Sequence, residues 1–119
     1  MRRPSTVPAL AGSLILALLM AAPASAASFR CNKARLPDEK AICADRRLND
    51  LDVELAVRLE VIRHLVPMGT RGALMDDQQA WLSARHQCGA DHNCLTRRYD
   101  DRLEEINGAL QRVYGKGPF

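Results

Sequence analysis

The chain has 119 residues, with 17 basic and 14 acidic side chains and a formal charge of +3. This length suffices for one modest domain and excludes a large multidomain enzyme. Charged residues make up 26% of the sequence and hydrophobic residues 47%, which excludes both an acidic disordered tail and a bundle of membrane helices.

The first 26 residues have the pattern of an export signal. Arg2 and Arg3 supply positive charge, and an uncharged apolar stretch follows over 7–22. Residues 24–26 are Ala-Ser-Ala, the small side chains that signal peptidase accepts. An uncleaved anchor is the alternative, but the apolar stretch is shorter than the ~20 residues of a spanning helix. We therefore predict a signal peptide over 1–26 and one exported domain over 27–119, periplasmic or secreted and not anchored in a membrane.

The predicted exported domain carries almost no net charge. Without the two arginines of the signal it keeps 15 basic and 14 acidic residues. Its long-range attraction for nucleic acid or a membrane surface is therefore weak, and no nucleic-acid partner is expected. A domain of this size buries roughly 65% of the surface of its unfolded chain, so its small core gains from covalent cross-links.

Four cysteines lie in the predicted exported domain. An oxidising compartment and an even count predict two disulfide bonds, for which three connectivities exist. We favour Cys31–Cys43 and Cys88–Cys94 because each closes a short local loop. Loops of these sizes contribute about 2–3 kcal/mol each through chain entropy.

A zinc site is the alternative use of the second cysteine pair. The units His86-Gln-Cys88 and His92-Asn-Cys94 offer two nitrogen and two sulfur ligands. Structural zinc sites, however, space their cysteines roughly two to four residues apart, whereas five residues lie between Cys88 and Cys94. Export also favours oxidation over free thiolates. We therefore expect no metal and no other cofactor.

The first half of the exported domain is predicted to be helical after an extended lead-in over 27–36. Pro37 suits the first position of a short helix. Asp45 is placed to cap a longer helix over 46–66, in which leucine and isoleucine recur every three or four residues. Pro67 ends this helix.

Val53, Val57 and Val61 form a second apolar row, here called the valine row, on the opposite side of the 46–66 helix. Partial burial under neighbouring segments is the ordinary explanation for such a row. An exposed row would instead be a surface for a partner or for self-association, and a homo-oligomer is then the alternative to a monomer.

The second half is predicted to form two further helices. Residues 68–72 are expected to be a connection, and 73–88 a helix with Trp81 as a large core residue. Gly89 stops this helix, and the last one begins two or three residues later. The sequence therefore predicts an all-α fold, a small disulfide-stapled bundle of three main helices plus one short N-terminal helix.

Side-chain patterns typical of an enzyme site are missing from the sequence. His64 lies near a helix end, where the helix dipole is the ordinary explanation for a histidine. Ser28 and Ser83 are the only serines of the exported domain, and Ser83 has no nucleophile elbow around it. Acidic pairs such as Asp100-Asp101 are typical of solvated helix faces beside arginines. We therefore predict that the protein is not an enzyme and has no catalytic residues.

Cysteine spacing and a tryptophan-centred motif carry a resemblance to a known family. The first segment reads Cys31-Asn-Lys-Ala, then Glu39-Lys40-Ala-Ile-Cys43 and Leu51-Asp52. The second reads Gln78-x-x-Trp81-Leu82-x-x-Arg85-x-x-Cys88, then Cys94-Leu95 and Arg102. Over about residues 29–110 this pattern resembles the lysozyme-inhibitor LprI-like N-terminal domain family of exported bacterial proteins. The sequence departs from the family pattern at Leu36, where a capping threonine is common, and at His86, where an acidic residue is common.

The resemblance implies binding to a peptidoglycan-cleaving hydrolase, since at least one member of the family inhibits lysozyme. Lysozymes use two carboxylates in a sugar-binding cleft, and a rigid protrusion with donors or positive charge suits such a cleft. Residues 88–94 form a candidate protrusion, although they are also a simple helix connection. The candidate contact residues are Arg85, Asp91, His92, Asn93 and Arg97, and the valine row is the alternative surface. The alternative function is an envelope structural or interaction module with no hydrolase target.

Overall fold

The structure, a computed structural model, describes residues 27–117. The predicted signal peptide, residues 1–26, lies outside the described residues. The elements in chain order are a 3₁₀ turn (Cys31–Lys33), α1 (Pro37–Ala44), α2 (Arg46–Leu65), α3 (Met68–Gln87) and α4 (His92–Tyr114). Residues 27–117 contain no strand. The all-α prediction, with one short and three long helices, is confirmed, and the 3₁₀ turn interrupts the lead-in that was expected to be extended.

Side-chain caps fix the starts of α1 and α2. The Glu39 carboxylate accepts hydrogen bonds from the backbone N–H groups of Arg35 (2.8 Å) and Leu36 (3.1 Å). Leu36 has no capping side chain, so Glu39 supplies the acceptor for N–H groups that the helix leaves unpaired. Asp45 caps α2 as predicted, because its Oδ1 accepts from the Leu48 N–H at 2.9 Å.

The start of α3 differs from the prediction of a connection over 68–72. The helix begins at Met68, directly after Pro67, and the Pro67 carbonyl accepts the first helical hydrogen bond from the Arg71 N–H at 2.9 Å. A proline just before a helix removes no helical hydrogen bond. Gly69 and Gly72 each cost about 1 kcal/mol relative to alanine, which weakens the first turns without ending the helix.

The core lies mainly between α2 and α4, which run side by side in the same direction. Tyr99 pairs with Asp52 near the start of the two helices, and Arg58 pairs with Asn107 further along. The buried apolar side chains are Ala41, Ile42, Leu48, Leu55, Ile62, Leu95, Tyr99, Leu103, Ile106 and Leu110. Trp81, predicted as a large core residue, is half-buried and packs against this core from its edge.

The valine row is only partly covered by neighbouring segments. Val53 is half-buried, Val61 is 39% exposed and Val57 is 57% exposed. Partial burial therefore describes Val53 best and Val57 least. The Val57 and Val61 side chains leave an apolar strip on the outside of α2.

The cysteines pair as favoured, in the bonds Cys31–Cys43 and Cys88–Cys94, with Cα–Cα distances of 5.7 and 5.6 Å. The first bond ties the 3₁₀ turn to the end of α1, and the second closes the turn between α3 and α4. Both bonds are typical of a non-reducing, exported environment. Because Cys88 and Cys94 are bonded to each other, they have no thiolates to offer a zinc ion. Within residues 27–117, none of the helices has the length and apolar character needed to cross a membrane.

Candidate functional site

Arg85 lies at the centre of a buried network of charged and polar side chains. It reaches inward from α3 and is only 4% exposed. Its Nε donates to Asp38 Oδ2 of α1 at 2.9 Å, and its Nη1 donates to the Tyr99 hydroxyl of α4 at 3.1 Å. The Arg85 side chain is therefore used inside the protein and does not lie on the surface that was predicted to contact a partner protein.

Two buried aspartates share the charge of Arg85. Asp38 Oδ2 also accepts from His86 Nδ1 at 2.8 Å. Asp52 accepts from the Tyr99 hydroxyl at 2.8 Å and lies 3.6 Å from Arg85 Nη1. We call these five side chains, Arg85, Asp38, Asp52, His86 and Tyr99, the Arg85 network. It joins all four helices, and a hydrogen bond of 2.6 Å from the Ser28 N–H to Asp52 adds the lead-in segment.

The ionisation of the Arg85 network follows from burial and from its pairing. Burial alone would raise the pKa of Asp38, but hydrogen bonds and positive charge from His86 and Arg85 outweigh it and lower that pKa. Burial, together with the negative charge of Asp52, raises the pKa of Tyr99 far above its ordinary value. The phenol therefore keeps its proton and remains a donor to Asp52.

Sequence reasoning missed the network, although one signal was present. Asp52 falls at steps of four and three between Leu48 and Leu55, inside the apolar stripe of α2. A charged residue at such a position needs a buried partner. Nothing local in the sequence links Asp38 to Arg85, which lies 47 residues away.

His86 and Arg102 are both paired within the protein. His86, which stands where an acidic residue is common in the family pattern, contacts Asp38 and so adds to the network. Arg102 is 7% exposed. Its Nε donates to Gln78 Oε1 at 3.2 Å, and its Nη1 donates to Glu105 at 2.8 Å. Gln78 and Arg102 of the motif therefore hold α3 against α4.

The remaining motif residues range from half-buried to exposed. Trp81 packs against Tyr99 with ring centroids 5.1 Å apart, and its Nε1 donates to the Arg98 carbonyl at 3.1 Å. Leu82 is half-buried, and Lys40 is exposed. The motif is thus largely a set of contacts that join α3 to α4 and to the Arg85 network.

Residues 88–94 form a closed turn at the end of the molecule that holds the disulfides. Gly89 has a φ of 54°, a left-handed conformation that favours glycine. Asp91 caps α4, because its Oδ1 accepts from the Cys94 N–H at 2.8 Å. His92 Nδ1 lies 3.6 Å from Asp45 Oδ2 at the start of α2. We call residues 88–94 with the first two turns of α2 and α4 the clipped end.

The candidate contact residues at the clipped end differ in whether their side chains are already paired within the protein. Asp91 is engaged by its own helix and His92 by Asp45. Asn93 and Arg97 are exposed, and within residues 27–117 the Arg97 side chain has no ion-pair partner. Arg47, in the first turn of α2, is exposed and unpaired in the same part of the structure and was not predicted. Asn93, Arg97 and Arg47 therefore remain available for a partner.

Comparison of the chain with family models, with curated proteins and with solved structures finds no match. One histidine and one serine that lie away from both the Arg85 network and the clipped end are held by neighbours on their own helices. His64 Nε2 lies 2.8 Å from Glu60, and the Ser83 hydroxyl donates to the Gln79 carbonyl at 3.1 Å. Across residues 27–117, no group of three or more His, Cys, Asp or Glu side chains is placed to hold a metal ion.

Proposed function

We propose that this protein is an exported, non-enzymatic binding protein that inhibits a lysozyme-type peptidoglycan hydrolase through its clipped end. The observation that carries the proposal is the covalently closed turn at 88–94, with Asn93 and Arg97 exposed beside it. The resemblance to the LprI-like family supports the choice of target. Periplasm or the extracellular medium is the proposed location.

Charge and rigidity support inhibition at this surface. The proposed target has two carboxylates in its cleft, and Arg47 and Arg97 bring positive charge that no acidic side chain of residues 27–117 neutralises. The Cys88–Cys94 bond and the Asp91 cap hold the turn in one conformation. A surface ordered in advance loses less conformational entropy when it binds.

The direct test is lysis of peptidoglycan-bearing cells by lysozyme in the presence of the purified, oxidised protein. We expect stoichiometric inhibition, and we expect Arg97→Glu to weaken it by about tenfold or more, since the charge beside the cleft is reversed. Lys116→Glu is the matched control, because it makes the same charge change on an exposed residue at the opposite end of α4. Full lysis with each lysozyme class and with bacterial lytic enzymes would remove the proposal.

The exposed valine row supports a second candidate, an envelope interaction module that acts through α2. Val57 and Val61 expose apolar surface, and such surface is typical of an interaction site. Val57→Asp would then change the oligomeric state in light scattering or the partners retained in a pull-down from envelope extract. Met68→Asp is the control, since Met68 is 83% exposed on a different helix. Identical behaviour of the two variants and the wild type would discard this surface.

A further inference from the structure

A cavity of about 330 Å³ lies beside the Arg85 network and is not used by the proposed inhibition. The lead-in, α2 and α3 supply most of its walls. Phe29 and Trp81 line it from two sides, and Leu55, Leu59, Ala56 and Leu82 add apolar surface. Small-molecule sites are of roughly 300–1,000 Å³ and are mostly apolar with a few polar groups. The volume therefore suits a small ligand, and we call this cavity the Arg85 cleft.

Polar groups without protein partners also line the Arg85 cleft. The Nε and Nη1 atoms of Arg85 are bound by the network, whereas its Nη2 has no hydrogen-bond partner within residues 27–117. The Gln78 side chain accepts from Arg102 through Oε1, which leaves its amide N–H groups unpaired in the same region. A largely buried guanidinium with free N–H groups favours a ligand that accepts hydrogen bonds.

The charges around the cleft select against an ionic ligand. The positive charge of Arg85 is already shared by Asp38 and Asp52. His86, which also lines the cleft, is paired with Asp38, and the Glu39 carboxylate adds a further negative charge. A carboxylate or phosphate would meet more negative than positive charge, so its burial would be unfavourable. A cation beside Phe29 or Trp81 would be repelled by the positive charge of Arg85. The Arg85 guanidinium already lies 5.9 Å from the Phe29 ring and 5.8 Å from the Trp81 ring.

We propose that the Arg85 cleft binds a sugar residue. A sugar ring is neutral, presents an apolar C–H face to an aromatic side chain, and carries hydroxyl groups that both donate and accept hydrogen bonds. Phe29 and Trp81 supply the aromatic surface, Arg85 and Gln78 supply donors, and Glu39 supplies an acceptor. This binding does not depend on inhibition of a hydrolase, because the two activities use different residues.

Trp81 gives a direct readout, since it is the only tryptophan in the sequence and lines the cleft. The oxidised protein is titrated with glucose, N-acetylglucosamine and the N-acetylglucosamine trimer, and separately with sodium acetate and choline chloride. We expect saturable fluorescence changes with at least one sugar, with Kd on the order of 1 mM or below. No change with any sugar, or saturable changes only with the acetate or choline ion, would overturn the assignment.

Filling the cleft separates ligand binding from a general effect on fluorescence. Ala56→Phe places a ring in the cleft, and Ala80→Phe makes the same change at an exposed position of α3 outside it. We expect Ala56→Phe to weaken sugar binding by about tenfold or more and Ala80→Phe to leave it unchanged. Circular dichroism checks that both variants fold, and Leu59→Phe replaces Ala56→Phe if that variant does not. Equal sugar affinity in a folded, filled variant and in Ala80→Phe would contradict the proposal.

Discussion

Arg85 is the residue on which the interior charge balance depends. It forms ion pairs with Asp38, which is fully buried, and with Asp52, which is 4% exposed. Replacing it with leucine leaves two carboxylates buried without their cation, and breaking a buried pair in this way costs about 3–5 kcal/mol. We therefore expect Arg85→Leu to lower the free energy of unfolding by that amount in urea denaturation.

Arg98→Leu is the matched control for Arg85→Leu. Arg98 is exposed, its side chain has no ion pair within residues 27–117, and only its backbone carbonyl is used, by Trp81. Such surface substitutions usually change stability by less than about 0.5 kcal/mol. Similar losses in the two variants would show that the Arg85 network does not contribute to stability as the geometry indicates.

The lowered pKa of Asp38 predicts how the free energy of unfolding depends on pH. Burial would raise its pKa, but pairing with His86 and Arg85 lowers it below the ordinary value of 3.8. A carboxyl group whose pKa is lower in the folded state stabilises the protein above its unfolded pKa, and this stabilisation is lost as the pH falls through the folded pKa. The free energy of unfolding should therefore decline as the pH falls below about 4.

The decline should be smaller in Asp38→Asn, which has no carboxyl group to protonate. Asp50→Asn should keep the wild-type decline, because Asp50 is exposed on α2. Its ion pair with Arg46 is long, at 3.8 Å, and lies on the surface. Chemical denaturation at a series of pH values gives all three curves. A wild-type slope in Asp38→Asn would mean that other carboxylates carry the acid sensitivity.

The sequence predicted residue roles where the interaction is local. Asp45 caps α2 by accepting a hydrogen bond from the N–H group three residues on, and Gly89 takes the left-handed conformation just after α3. Short-range chemistry determines such positions. The Arg85 network joins residues up to 48 positions apart, so its partners follow only from the way the helices pack. For the same reason Arg85 was mistaken for a surface residue.

At the scale of elements, apolar spacing predicted that the long helices exist but misplaced the start of α3. The 3.6-residue period is strong in α2 and α4, whose apolar sides form the core. The first two turns of α3 are largely exposed, so no apolar stripe marks them. Gly69 and Gly72 are typical of a connection between helices, and this favoured the prediction of a connection over 68–72. Neither position needs glycine, since an added Cβ would have open space.

The helical position of Gly69 and the left-handed conformation of Gly89 predict opposite effects of alanine at these two glycines. Gly69 lies within α3 with nothing within 4 Å of an added Cβ, whereas Gly89 also has open space but a φ of +54°. Gly69→Ala should raise the free energy of unfolding by about 0.5–1 kcal/mol. Gly89→Ala should lower it by about 1–2 kcal/mol, because a side chain disfavours the left-handed conformation. Thermal and urea unfolding measure both changes, and destabilisation by Gly69→Ala would argue against a helix that starts at Met68.

For the whole molecule, the two disulfides compensate for a small core. The buried apolar side chains come mostly from α2 and α4, and α3 contributes no fully buried apolar residue. Apolar periodicity and cysteine spacing predicted a stapled all-α bundle, since both depend on short-range properties of the chain. They did not predict that α2 and α4 pair in parallel, because several arrangements of three amphipathic helices bury the same stripes.

The contribution of each disulfide can be measured by replacing it. The bonds close sequence separations of 12 and 6 residues, and loop-closure entropy gives about 2–3 kcal/mol for each, with the longer loop contributing roughly 0.6 kcal/mol more. The double variant Cys31→Ser/Cys43→Ser should therefore be destabilised slightly more than Cys88→Ser/Cys94→Ser. Loss of both bonds should cost about 5 kcal/mol, which is comparable to the entire stability of many small domains.

The same two variants separate stability from recognition. Inhibition of a hydrolase through the clipped end should suffer more in Cys88→Ser/Cys94→Ser, although this variant loses less stability, because its open turn must be ordered on binding. Urea unfolding and lysis assays on one set of preparations give both quantities, at a temperature at which circular dichroism shows each variant folded. If inhibition instead fell in proportion to lost stability in both variants, the turn at 88–94 would be a structural staple and not the recognition surface.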